Sequence, residues 1–316
     1  MKKAVTFMLI CLAGWISVNN PIVNPYVETL KESAIMVSKQ NSNPLYENIV
    51  KNAAKYEIPP SDAKIDRVWK AIPGYNGLKV DILASYKKMK NKDQYDEKKL
   101  VFTQINPKVH LRDLPPSPIY KGHPDKPMVS FIINVAWGNE YLSDMLATLK
   151  RHHVTTSFFL EGNWVKKNPE LAKMIVSAGH EIGNHSYSHP DMKRLTAGQT
   201  RSELIKTNEV IEAATGVKCE WFAPPSGSYR DETVSVANDL NMETVMWTVD
   251  TVDWKKPTPD TLINRVMSKI GNGSMVLMHP TEATAKSLDS LITLIEKKNL
   301  TIGTVSELMS EERLMK

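Results

Sequence analysis

Cysteine is nearly missing from this chain: there are two in 316 residues, Cys11 inside an N-terminal apolar run and Cys219 alone in the body. That excludes a disulfide framework and a cysteine-based zinc knuckle. A dominant charge is missing too. Lys and Arg number 40 against 35 Asp and Glu, a net +5. Such a mild, spread excess suits an anionic surface such as a cell wall and argues against nucleic acid as a partner. No internal repeat of fixed period is visible, and after the first apolar run no second long one follows. Hydrophobic residues, at 41%, are plentiful enough for a sizeable core, which sets aside wholesale disorder, collagen and coiled coil.

What is present begins with an address. Met1-Lys2-Lys3 precedes residues 4–18, apolar apart from Thr6, Gly14 and Ser17, and then Asn19-Asn20-Pro21. A basic start and an apolar stretch of this length read as a secretory signal over residues 1–20, or as an uncleaved membrane anchor through residues 4–18. The stretch is short beside the roughly 17–25 residues of a spanning helix. The expectation is an exported, extracytoplasmic protein, secreted or anchored at the cell wall.

Residues 24–113 are rich in Lys, Asn and Pro and read as a small α+β module, with helices over 26–39 and 45–56 and strands over 78–82 and 100–102. No catalytic constellation lies there. Residues 114–127, with Pro115, Pro116, Pro118, Pro124 and Pro127, read as a proline-rich linker. From Met128 the rhythm changes. Strands are predicted over 128–136, 156–161, 181–185, 219–223, 244–249, 275–278 and 302–305. Helices alternate with them over 140–152, 169–178, 196–215, 231–240, 259–270 and 283–298. That alternation implies parallel βαβ units. Seven units in so short a span point to a closed or nearly closed β/α barrel over 128–309, with a doubly wound open sheet as the competing topology.

Chemistry in such barrels sits at the C-terminal ends of the strands. There this sequence places Asn184-His185-Ser186-Tyr187-Ser188-His189, Ala223-Pro224-Pro225-Ser226, Asp250-Thr251-Val252-Asp253-Trp254 and Leu277-Met278-His279. His185 and His189, four residues apart, are a plausible pair of metal ligands, and the expected convergence of His279 at the same rim strengthens that reading. The same residues also read as hydrogen-bonding loop histidines, and Asp253 with His279 as a structural ion pair. Of Trp137, Trp164, Trp221, Trp247 and Trp254, two are expected at the cleft, where aromatic faces suit pyranose rings.

On these motifs the chain resembles the NodB-homology polysaccharide deacetylases of carbohydrate esterase family 4, within them the YlxY-type, sporulation-associated members. The resemblance covers about residues 127–308. It implies a deformed (β/α)7 barrel and, in active members, metal-dependent hydrolysis of the acetamide C–N bond of N-acetylated cell-wall glycan, peptidoglycan or chitin-like. It further implies His185 and His189 as ligands of a divalent metal, zinc or similar, and His279 as the general acid. Asp253 would hold that histidine, and Trp254 and Leu277 would line the acetyl pocket. The family's Thr-Phe-Asp-Asp-Gly motif falls on Asn134-Val135-Ala136-Trp137-Gly138, so the base Asp is replaced by Ala136 and the metal Asp by Trp137. The family's Arg-x-Pro-Tyr falls on Ala223 to Ser226, without the arginine that orients the base. The metal site is incomplete. Glu140, Asn134 and Asp250 are the candidate substitutes for the base; Glu140 is the only carboxylate among them close in sequence to the vacated position, and it also reads as charge complement to a helix N-terminus. Two functions stay open: a hydrolase of weakened or altered mechanism, and an inactive barrel that binds glycan or a protein partner.

Overall fold

The computed structural model describes residues 43–314; the expected signal or anchor and the helix over 26–39 lie outside the described residues. The described residues divide into two compact units, one of residues 43–58 and Leu78–Thr103, the other of Pro59–Gly77 and residues 104–314. Its strands begin with β1 (Lys64–Asp66) and β2 (Lys70–Ile72), an antiparallel ribbon. A second pair is β3 (Gly77–Val80) with β4 (Phe102–Ile105). In the smaller unit the helix Pro44–Ala53 starts at Asn43, whose side chain accepts from the Leu45 and Tyr46 amides. Leu45, Ile49 and Ala53, one stripe at helical spacing, pack with Val80, Met89 and Leu100.

The larger unit is built on eight parallel strands: β5 (Met128–Val135), β6 (Ser157–Leu160), β7 (Glu181–Asn184), β8 (Trp221–Phe222), β9 (Glu243–Thr244), β10 (Val249–Asp250), β11 (Met275–Met278) and β12 (Thr301–Gly303). Their order is β10-β11-β5-β6-β7-β8-β9, with β12 also paired to β5. Every residue of β5 is buried, because its two faces serve two cores. Phe131, Ile133 and Val135 meet the surrounding helices, including Leu142, Met145 and Leu149 of Asn139–Arg151. Ile132 faces the interior with Phe159, Val245 and Leu277. A strand covered on both sides needs a continuous apolar run rather than alternation, which is what 128–135 provides.

The sheet curls as a barrel that stays open between β9 and β10. The single strand predicted over 244–249 is two short ones that do not pair with each other. Just past β9 the chain is met by the segment expected to be a linker, whose Ile119 is bridged to Val245 on one side and to Lys70 on the other. The Ile119 amide donates to the Thr244 carbonyl at 2.9 Å, the Met246 amide to the Ile119 carbonyl at 2.8 Å, and the Gly122 amide to the Gly273 carbonyl at 2.8 Å. Ile119 and Lys126 are buried, and Lys126 Nζ donates to the Ser310 carbonyl at 2.6 Å. Residues 114–127 are therefore packed into the barrel unit, as are 59–77 and 104–113 from the stretch expected to form the small module. The physical reason is the unpaired backbone groups of a split strand, which a buried edge cannot leave unsatisfied.

Candidate functional site

The loops after β5, β7, β10 and β11 converge at one mouth. His185, next after β7, is 1% exposed, and its Nδ1 stands 2.7 Å from the Ala223 carbonyl. The proton therefore sits on Nδ1, leaving Nε2 as an uncommitted acceptor. Burial first, and the neighbouring His189 second, push the His185 pKa down to about 3. His189 is half-buried, held below its ordinary value by burial, and its ring centroid lies 5.2 Å from that of His185. The turn between them is built tightly. Ser186 and His189 both take positive φ, 62° and 57°. Asn184 Oδ1 accepts from the Ser186 amide at 2.8 Å, and Ser186 Oγ from the His189 amide at 3.1 Å. From the helix Ala197–Thr215, Glu203 reaches back to accept the Tyr187 and Ser188 amides at 2.9 and 2.8 Å and the Ser188 hydroxyl at 2.9 Å.

On the opposite wall Asp253 is fully buried. One carboxylate oxygen accepts from His279 Nδ1 at 2.8 Å. The other accepts the His279 amide at 2.6 Å and the Thr284 hydroxyl at 2.7 Å. Burial alone would raise the Asp253 pKa, but the hydrogen bonds from His279 and Thr284 outweigh it and hold the carboxyl below its usual range. With Nδ1 committed to Asp253, His279 keeps Nε2 for the cleft.

Trp137 completes the mouth. Its ring is stacked on His279, centroids 5.2 Å apart and planes within 17°. Gly138, at φ +81°, makes the turn behind it; a Cβ there would collide with the Pro280 carbonyl, so this approach requires glycine. A cavity of about 360 Å³ is lined by Trp137, His185, His189, Trp254, Leu277 and His279, together with Asn134, Ser226, Trp247 and Asp250. A second cavity of about 500 Å³ shares Trp137 and Trp254 with it and includes Asp253. Trp137 and Trp254 are 45% and 54% exposed, whereas Trp164 and Trp221 are buried. Three of the five tryptophans thus border the cleft, one more than expected.

The donor set does not suit a catalytic metal. Such zinc takes three protein ligands and keeps one open position. Among the described residues no group of three or more His, Cys, Asp or Glu side chains is placed to hold an ion, and position 137 offers an indole. Asp250, the carboxylate lining the histidine cavity, uses Oδ1 to accept the Val252 amide at 2.8 Å. Glu140 lies in the first turn of its helix and lines the neighbouring cavity rather than the one holding the histidines. Sequence reasoning missed Glu203 at this site; Trp247 was among the five tryptophans weighed for the cleft and lines it. Glu203 carries no local signal, because its partners lie 15–16 residues away.

Residues 121–245 match the family profile described as polysaccharide deacetylase. Over its whole length the chain is 55% identical to the uncharacterized protein YlxY of Bacillus subtilis, covering 99% of it. It is 31% identical to the peptidoglycan-N-acetylmuramic acid deacetylase PdaA of the same organism, over 62% of this chain and 76% of PdaA. Among solved structures it is similar to BA3943 of Bacillus anthracis, described as a CE4 family pseudoenzyme. The identity there is 56% and the TM-score 0.82, over 85% of this chain and 96% of that one. A BA3943 mutant described as having restored enzymatic activity matches at 55% identity and TM-score 0.82, over 85% and 99% of the two chains.

Proposed function

Because this chain belongs to the polysaccharide deacetylase family, carbohydrate esterase family 4, its barrel mouth has to be read against a deacetylase plan, and we propose that it is a glycan-binding pseudo-deacetylase of the cell wall. The observation that carries this reading is Trp137 stacked on His279. The residue that takes the place of a metal-ligand carboxylate lays an aromatic ring over the proposed acid. Ala136 meanwhile leaves no base, a loss worth typically about 10²–10⁴-fold in rate. What remains fits recognition. Two exposed indoles border cavities of about 360 and 500 Å³, and a cleft of that size, mainly apolar with a few fixed polar groups, is the usual form of a small-ligand site.

In this reading Trp254 and Trp137 stack on sugar rings, and Leu277 borders the acetyl group. The free Nε2 atoms of His185 and His279 take part in hydrogen bonding to the glycan, with Asp253 fixing His279. The ligand is N-acetylated wall glycan, and residues 1–20 direct the protein out of the cytoplasm to reach it, as a secreted or anchored participant in wall remodelling. The relatives support this choice of ligand: PdaA is a peptidoglycan deacetylase.

Calorimetric titration with chitotetraose, a chain of N-acetylglucosamine units, tests the proposal. Trp137→Ala and Trp254→Ala should each weaken binding about tenfold, an aromatic contact of about 1.4 kcal/mol. His279→Ala should change affinity at most a few-fold, and chelation of divalent metal should leave it unchanged. Acetate release by the parent that disappears in His279→Ala would instead establish the hydrolase reading.

A further inference from the structure

The β1–β2 ribbon takes no part in the barrel mouth, and it holds an apolar tip in water. Its root is fixed: Ala71 and Ile72 are buried, the Ala71 amide donates to the Pro118 carbonyl at 3.2 Å, and Lys70 is bridged to Ile119. Its tip is the three-residue loop Arg67-Val68-Trp69, between Asp66 and Lys70, which pair across the ribbon. Asp66 Oδ1 accepts the Val68 and Trp69 amides at 2.8 Å each, so the turn is set before any partner arrives. Those two bonds, with lesser help from Lys64 and Lys121, hold the Asp66 carboxyl below its usual range. Lys70 closes the loop at φ +59°, a place where glycine is the usual choice; here it carries a cation.

Exposed apolar residues scattered singly need no explanation. Ile65, Val68 and Trp69, however, are all exposed, Val68 by 64%, and they fall within five residues. Four cations stand with them: Lys64, Arg67 and Lys70 from the ribbon, and Lys121, whose Nζ lies 5.6 Å from the centre of the Trp69 ring. Among residues 64–72 the one carboxylate is Asp66, with an oxygen committed to the turn. Apolar side chains flanked by Lys and Arg, with a tryptophan between, have the makeup of an interfacial membrane contact. The indole suits the boundary between headgroups and acyl chains, and the cations suit anionic headgroups. We propose that this tip is a membrane-docking wedge: Ile65, Val68 and Trp69 enter the interface of an anionic phospholipid bilayer, and Lys64, Arg67 and Lys70 bind its phosphates. The face of Trp69 that Lys121 covers is closed to stacking on a sugar, which sets this indole apart from those of the barrel mouth. Such docking is independent of what the mouth binds.

The test reads the tip itself, on the full chain. Val68→Cys is labelled with an environment-sensitive fluorophore in a Cys11→Ser background; Cys219 is buried, its thiol pushed up to about 12, and does not compete for the label. Vesicles of equal parts phosphatidylcholine and phosphatidylglycerol should shift the emission to the blue. Pure phosphatidylcholine should give no shift at lipid concentrations that saturate the mixed vesicles. In the labelled chain Arg67→Ser/Lys70→Gly, which removes two cations and suits the turn, should need about thirtyfold more lipid, roughly fivefold per cation near the surface. Trp69→Ala should need about tenfold more. Co-sedimentation with vesicles but no shift means that another segment, such as residues 4–18, holds the lipid, and overturns the wedge. An equal shift on both vesicle types, or an unchanged lipid requirement in the double variant, overturns recognition by the cations and the proposal with it. A shift that grows with protein concentration in lipid-free buffer assigns the tip to a second copy of the chain and overturns membrane docking. So does binding of poly(glycerol phosphate), read as a rise in the label's anisotropy, if it equals vesicle binding and is unaffected by Trp69→Ala; the tip would then belong to an anionic polymer.

Discussion

At position 137 a carboxylate would stand beside His185 and His189 as the third ligand that a catalytic zinc requires; the indole found there stacks on His279 instead. In the proposed reading, positions 136 and 137 carry two separable losses, the base and the ligand, on a site whose other half keeps its hydrogen bonds. His185 still turns Nε2 inward and Asp253 still holds His279. Trp137→Asp alone should restore binding of about one zinc ion per chain without appreciable turnover. Adding Ala136→Asp should then raise acetate release from chitotetraose by about 10²–10⁴-fold, the usual worth of a general base. Elemental analysis and an acetate assay read the two steps separately. No zinc uptake by Trp137→Asp would show that the indole does not occupy the vacated ligand position.

Between elements, the two-histidine turn depends on a helix distant in sequence. Glu203 accepts three hydrogen bonds from Tyr187 and Ser188, and bonds to a charged acceptor are worth about 1.5–3 kcal/mol each before partial exposure discounts them. Glu203→Ala should lower stability by about 2 kcal/mol, while Glu203→Gln, which keeps an acceptor for the two amides, should lower it by less than half as much. Hydrogen exchange at Tyr187 and Ser188 should speed up more in the alanine variant than exchange in β5, whose amides follow global unfolding. Uniform acceleration across the barrel would point to a general loss of packing. Such a clamp has no local signature, and the same limit governed the rest of the reading from sequence. The strands and helices of 128–309 were legible because burial imposes its period on neighbouring residues, as the unbroken run of β5 shows. The histidine turn and Asp253-Trp254 were legible because their motif is local. The pairing of Ile119 with Val245 and Lys70 was not, since prolines 115, 116 and 118 describe a stiff extended segment and say nothing of which distant edge it will pair with. Nor was the stack of Trp137 on His279, which joins residues 142 positions apart through a turn that Gly138 alone permits.

For the molecule as a whole, acid should be destabilising, and one imidazole far from the mouth allows the effect to be isolated. His180 precedes β7, is 7% exposed, and accepts the Thr156 amide on Nδ1 at 3.2 Å, a bond that only the unprotonated nitrogen can make. Burial pushes its pKa down to about 4. The unfolded chain, whose imidazole titrates near 6.5, therefore takes up a proton before the folded one does. Its contribution is complete above pH 6.5 and is lost progressively as the pH falls through that value toward 4. Between pH 7 and pH 5 the loss amounts to about 2 kcal/mol. Buried His185, depressed in the same direction, adds to the trend over the same window. Replacing His180 with Asn keeps an acceptor near the Nδ1 position and removes the titration. Urea unfolding of parent and His180→Asn at pH 7 and pH 5 should therefore show the parent losing about 2 kcal/mol more than the variant on acidification. Equal losses would mean that the folded barrel opens around His180 and admits its proton. The barrel would then have to be considered a looser structure at its N-terminal end than the bond to Thr156 implies.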